Sequence, residues 1–195
     1  VLRASDGAEL EPRVVPPEGH RLAAVGRRIV CWEQGDRILK MVDPMCSGPE
    51  GVVWGPHRFP LNTRAEMVDD EMIAVYSPEG KFRLIRMADG ASIIDAEFES
   101  EMPVTDVIVF RQGDNYIVVA NNSLSSRDPR RQVQPMAGLR ARRIGTARIF
   151  AFDGNGVALR EKPTVVENHC LPLTQLPGVP CLVFACMVYE TAGGQ

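Results

Sequence analysis

The sequence predicts an all-β protein built from small four-stranded antiparallel sheets. Two observations carry this. Four stretches share one hairpin pattern, beginning at Val1 (VLRASDGAEL), Ile38 (ILKMVDPMCSG), Leu84 (LIRMADGASII) and Ile149 (IFAFDGNGVAL). Each runs from an apolar segment through Asp and then Gly or Pro into a second apolar segment, and Asp-Gly supplies the positive φ that a tight hairpin needs. The copies start 37, 46 and 65 residues apart. A repeat near ~45 residues holding about four strands is the spacing of a β-propeller blade. The expected fold is therefore a β-propeller segment over 1–195, with about three blades and two partial ones, belonging to a larger ring.

The elements follow in order. Residues 1–12 read as a partial blade turning at Asp6-Gly7. Residues 21–59 read as a blade with runs at Leu22 to Val25, Ile29 to Trp32, Ile38 to Val42 and Val52 to Trp54. The strand after Asp36 can be second or third in its sheet, because alignment on Gln34-Gly35-Asp36 and alignment on the Asp-Gly repeat disagree. Residues 64–99 read as the clearest blade, with strands at Ala65 to Val68, Met72 to Ser77, Phe82 to Met87 and Ser92 to Glu97. Asn62-Thr63-Arg64-Ala65-Glu66 could alternatively cap a helix with Val68 and Met72 on one face. Residues 104–160 read as a fourth unit, its last two strands at Thr146 to Phe152 and Val157 to Arg160. An insertion at 121–145 interrupts it. Residues 161–179 read as a linker, and 180–189 as the first strand of a further blade.

Composition bounds the function. With 45% hydrophobic and 24% charged residues and a net charge of -3, the chain has the makeup of an ordinary folded domain. No apolar run approaches the ~20 residues of a membrane helix. Five cysteines make an odd number without framework spacing, which points to buried thiols rather than a disulfide scaffold. The chain opens on Val1 in what looks like the middle of a hairpin, as expected of a segment cut from a longer protein.

No catalytic constellation is legible. His169, Cys170, Cys181 and Cys186 are zinc-type ligands, but their spacing lacks the paired two-to-four-residue separation of such sites. His20 and His57, read as lying in proline-rich loops, have no orienting partner for a Cys-His pair. Asp69-Asp70-Glu71 could offer oxygens to calcium, yet reads more simply as a solvated turn. Asn121-Asn122-Ser123 has the form of a glycosylation acceptor. No cofactor or metal is expected.

Charge is the one functional hint. Arg127 to Arg148 holds seven arginines and one acid, whereas Glu66 to Glu101 holds ten acids and three bases. Arg127, Arg130, Arg131, Arg140, Arg142 and Arg143 are the candidate partner-binding residues, in a long loop of the kind that often carries function. They could pair with the chain's own acidic unit or with an acidic protein. Nucleic acid is disfavoured, since no aromatics interleave with them to stack on bases.

The phrases YSPEGKFRLIRMADG (Tyr76 to Gly90) and RIFAFDGNGVAL (Arg148 to Leu159) resemble quinoprotein-like (PQQ-like) β-propeller repeats, in which a strand, an Asp-Gly turn and a strand often close on Trp. Trp54 occupies such a closing position, and Ile93-Ile94 and Leu159-Arg160 occupy it elsewhere. The resemblance implies the repeat. It does not bring the dehydrogenase chemistry of that family's catalytic members, because the chain has no adjacent Cys pair and only two Trp residues. The expected function is a non-catalytic propeller scaffold for protein binding or assembly, completed by the rest of the propeller, another copy or another subunit. The alternatives are a piece of a quinoprotein-type dehydrogenase or other propeller enzyme with its site in further blades, and a purely structural subunit.

Overall fold

A computed structural model describes residues 3, 5–10, 20–33, 37–46, 51–99, 102–123, 145–166, 170–175 and 182–186; for 20–22, 123, 145, 171–175 and 182–186 it describes the backbone alone. The fold is all-β, with three four-stranded antiparallel sheets, one hairpin, and no α-helix among the described residues. Sheet I runs β1 (His20–Val25), β2 (Arg28–Glu33), β3 (Ile38–Val42), β4 (Val52–Arg58). Sheet II runs β5 (Arg64–Met67), β6 (Met72–Tyr76), β7 (Lys81–Arg86), β8 (Ser92–Glu97). Sheet III holds β9 (Val104–Gln112), β10 (Asn115–Ser123), β11 (Gly145–Phe152) and β12 (Thr164–Val166), and the hairpin pairs β13 (Cys170–Gln175) with β14 (Leu182–Cys186). Each sheet is an open meander with neighbouring strands in chain order. The chain divides into two units, Val1–Ser77 with Arg83–Asp95, and Pro78–Phe82 with Ala96–Gln195.

The hairpin copies at 38, 84 and 149 begin in β3, β7 and β11, the third strand of each sheet. This settles the register of 21–59, since Ile38–Val42 is a third strand. Arg64–Met67 is a strand and not a helix start; its neighbour β6 is buried at every position, and a two-faced apolar pentamer can pair only inside a sheet.

The repeat rests on one local device. In each copy the Asp carboxylate accepts the N–H two residues on: Ala8 to Asp6 at 3.0 Å, Met45 to Asp43 at 3.0 Å, Ala91 to Asp89 at 3.0 Å and Asn155 to Asp153 at 2.9 Å. This side-chain mimic of a backbone turn is why Asp opens the loop. The turns at Arg3–Ala8 and Arg86–Ala91 share the sequence Arg-x-x-Asp-Gly-Ala and the same bonds. Arg3 N–H meets Ala8 O at 2.8 Å and Arg86 N–H meets Ala91 O at 2.9 Å, while Gly7 and Gly90 take φ of 69° and 72°.

In the first unit, Val30, Trp32, Leu39, Met41 and Trp54 of sheet I pack on Ile73, Val75 and Ile85 of sheet II and on Met87 in its β7–β8 turn. Each such side chain contributes about 1.5–3 kcal/mol on burial. The first strands, β1 and β5, lie side by side. At the other margin Trp54, 7% exposed, donates its Nε1–H to Met87 O at 2.7 Å. Gly90 makes room for it: a Cβ there would sit 2.7 to 2.9 Å from three indole carbons.

In the second unit, Phe98 stacks between Phe82 and Phe150, at centroid distances of 5.1 and 4.1 Å. Phe98 N–H bonds to Gly80 O at 2.8 Å, and Gly80, at φ 96°, lies so close that a Cβ would collide with the Phe98 carbonyl oxygen. On one face of sheet III, Val119 and Ala147 cover Cys170, ringed by Ile108, Phe110, Ile149 and Val166.

Three expectations for this region need correction. The fourth strand of sheet III is Thr164–Val166, inside the expected linker 161–179, whereas Val157 to Arg160 yields one bridge, Phe152 to Ala158, and otherwise folds back in the turn. The linker also contains β13, so β14 is the second strand of a hairpin rather than the first of a blade. The insertion is shorter than 121–145, because Asn121, Asn122 and Ser123 pair with Ala147, Thr146 and Gly145.

Candidate functional site

Two places combine built geometry with polar chemistry, one in each unit. In the first unit, the β1–β2, β3–β4, β5–β6 and β7–β8 turns emerge at the same end of sheets I and II, as meander topology requires. Between them lies a cleft of about 380 Å³, toward the lower end of the ~300–1,000 Å³ of small-molecule sites. Val25, Met41 and Met87 form an apolar wall, and Arg28, Asp70, Glu71, Arg86 and Ala88 complete the lining. The two methionines give this wall an adaptable surface.

The charges here are fixed by the turn chemistry. Arg86 grips Asp89 with two of its guanidinium nitrogens, Nε donating at 3.0 Å and Nη2 at 2.7 Å. That guanidinium, with the Ala91 N–H, holds the exposed Asp89 carboxyl down at about 2. Asp43 is buried, which raises its pKa, but the Met45 N–H and the Arg27 guanidinium at 2.7 Å outweigh this, so the carboxyl stays below its ordinary range. Asp69 accepts Glu71 N–H at 2.7 Å and Met72 N–H at 2.8 Å. It closes the β5–β6 turn, and Asp70 and Glu71, exposed, face the cleft.

In the second unit, Asn121 on β10 is wholly buried and clamps β13. Its Nδ2 donates to Cys170 O at 2.9 Å, and its Oδ1 accepts Cys170 N–H at 3.0 Å. The amide side chain thus completes a strand-like pair where sheet III ends and the hairpin begins. Nδ2 also reaches Asp106 Oδ2 at 3.2 Å, and Thr105 Oγ1 donates to Asn121 O at 3.2 Å. A β-bulge between Asn121 and Asn122, against β9, aims these groups. Neighbouring Asn122 is buried with its Oδ1 lacking a partner among the described residues.

The candidates read from the sequence distribute as follows. Arg127, Arg130, Arg131, Arg140, Arg142 and Arg143 lie outside the described residues, as do His169 and Cys181. His20 and His57 stand in strands β1 and β4, not in proline-rich loops. The glycosylation reading of Asn121 conflicts with its burial and its three side-chain bonds. Among the described residues no group of three or more His, Cys, Asp or Glu side chains is placed to hold a metal, and no helix is long and apolar enough to cross a membrane. The Asn121 clamp escaped the sequence reading because its partner lies 49 residues away.

Known proteins add no family assignment: no family model matches the chain, and no curated protein matches it.

Proposed function

We propose that the chain is a run of β-propeller blades serving as a non-catalytic scaffold for protein binding or assembly. The observation that carries this reading is the stacking of sheet II on sheet I. First strand lies beside first strand, and Trp54 of the fourth strand docks on the turn that leads to the next fourth strand. Two consecutive meanders superposed in this way are a propeller's unit of construction, and a ring usually holds ~4–8 of them. The reading therefore calls for further blades, from a longer chain, a second copy or another subunit. The resemblance to quinoprotein-like repeats supports the same arrangement. Partner contact falls to the loops. The 124–144 connection leaves sheet III at the end opposite its Asp153 turn, and its arginine excess suits an acidic protein surface.

Native mass spectrometry of the particle containing this chain tests the reading. Additional polypeptide or a second copy beyond 21.5 kDa is expected. A compact monomer of that mass at every concentration would overturn it and favour a small sandwich.

A further inference from the structure

We infer that Cys170 and Cys186 form a reversible cross-strand disulfide, making the β13–β14 hairpin a redox modification site. The two residues face one another directly in the antiparallel register, Cys170 opposite Cys186 at the end of the ladder. Such opposition comes in two kinds, and the bonds of Cys170 decide which applies. Its N–H and its C=O are both taken by the Asn121 side chain on β10. Both therefore point away from β14, and the pair is of the non-hydrogen-bonded kind. In such pairs the Cα atoms stand about 4.5 Å apart and the side chains are closest. Disulfides span Cα separations of roughly 4.4–6.8 Å, so the bond needs little backbone movement. Pro172, two positions on and opposite Phe184, has the same parity and lacks the N–H that a hydrogen-bonded pair would require.

The oxidant is a low-molecular-weight disulfide such as oxidised glutathione. One cysteine thiolate attacks it, forming a mixed disulfide and releasing one glutathione thiolate. The second cysteine thiolate then attacks the protein sulfur of that mixed disulfide and expels the other glutathione. Two cysteine thiols are oxidised to one disulfide, glutathione disulfide is reduced to two thiols, and the cysteine protons pass to the released thiolates. The bond would enclose 171–185 and fasten β14 to the strand that Asn121 holds on sheet III. Cys170 is 1% exposed, so exchange proceeds through opening of the hairpin and is slow beside that of a surface thiol.

The test uses the full chain equilibrated in glutathione buffers of rising oxidised fraction, quenched by alkylation and mapped by peptide mass spectrometry. The expected result is a linked peptide joining Cys170 to Cys186, with the loss of two alkylatable thiols and reversal on reduction. A variant with Cys31, Cys46 and Cys181 replaced by Ser should lose both remaining thiols together, in a monomolecular step. Linkage of Cys186 to Cys181, or glutathione mixed disulfides persisting on both cysteines, would overturn the assignment, as would two thiols unchanged where a model dithiol is oxidised. If the triple variant fails to fold, the linkage map of the unaltered chain decides alone.

Discussion

Gly90→Ala probes the contact on which the stacking of sheets I and II depends. Two costs add at this position. Gly90 has φ 72°, and an L-residue in that region costs about 1–2 kcal/mol. The new methyl would also lie 2.7, 2.8 and 2.9 Å from Trp54 Cδ2, Cγ and Cε3. The indole cannot withdraw cheaply, since its Nε1–H is bonded to Met87 O and its other face is in the core. Overpacking of this kind costs about 1–3 kcal/mol, for a total of about 2–5 kcal/mol. Gly113→Ala is the control, having φ 60° and nothing within 4 Å of a built Cβ, so it carries the backbone cost alone. Urea unfolding followed by circular dichroism gives both values. With Trp54→Leu as background, the excess cost at Gly90 should vanish, leaving a coupling of about 1–3 kcal/mol. If Gly90→Ala costs no more than Gly113→Ala, the indole does not rest on this turn and the docking argument fails.

Four further outcomes are expected. Trp54→Phe keeps most of the ring but strands the buried Met87 carbonyl, costing about 1–3 kcal/mol in the same assay; a neutral result would deny the hydrogen bond. Gly80→Ala forces a methyl into the Phe98 carbonyl oxygen and should cost about 3 kcal/mol or more, a claim that a near-native urea midpoint would defeat. Asn121→Ala leaves the Cys170 N–H and C=O without their clamp, at about 2–4 kcal/mol, and hydrogen exchange should show 170–175 losing protection before β10; equal loss everywhere would argue against a local clamp. Asp89 is held at about 2 against an ordinary 3.8 by Arg86 and the Ala91 N–H, so its folded form binds a proton less readily than its unfolded form. Its stabilising contribution is full above about pH 4 and fades as pH falls toward 2. The gap in melting temperature between wild type and Asp89→Asn should therefore close over that window, and a constant gap would remove Asp89 as its cause.

The hairpins were legible because their chemistry is local. An Asp that accepts the N–H two residues on, followed by Gly or Pro, announces itself in any reading of the chain and marked the hairpins after β3, β7 and β11, although the competing alignment on Gln34-Gly35-Asp36 left β3 second or third in its sheet. The apolar run from Met72 likewise read as a strand, and the structure adds that β6 is buried at every position. What failed was decided at a distance. Val157 to Arg160 is the more apolar segment, yet Val157 and Leu159 are 63% and 52% exposed, because bonds to Asp153 draw Val157 into the turn. The edge strand falls instead to the short Thr164–Val166. β13 carries Pro172 and looked like a linker; its pairing comes from β14 and from an asparagine 49 residues upstream. Trp54 stood out as a closing residue, but nothing near it in sequence names Met87 as its acceptor.

The twin turns at Arg3–Ala8 and Arg86–Ala91 also bear on the order of events during folding. Their bonds join residues at most five apart, and hairpins of this kind close within about 1–10 μs. The Trp54–Met87 bond spans 33 residues and can form only between strands that already exist. Changes in the turns should then slow refolding, while changes at Trp54 should leave refolding nearly untouched and quicken unfolding. Resistance to coming apart is thus vested in a late-arriving side chain rather than in the turns that start each hairpin.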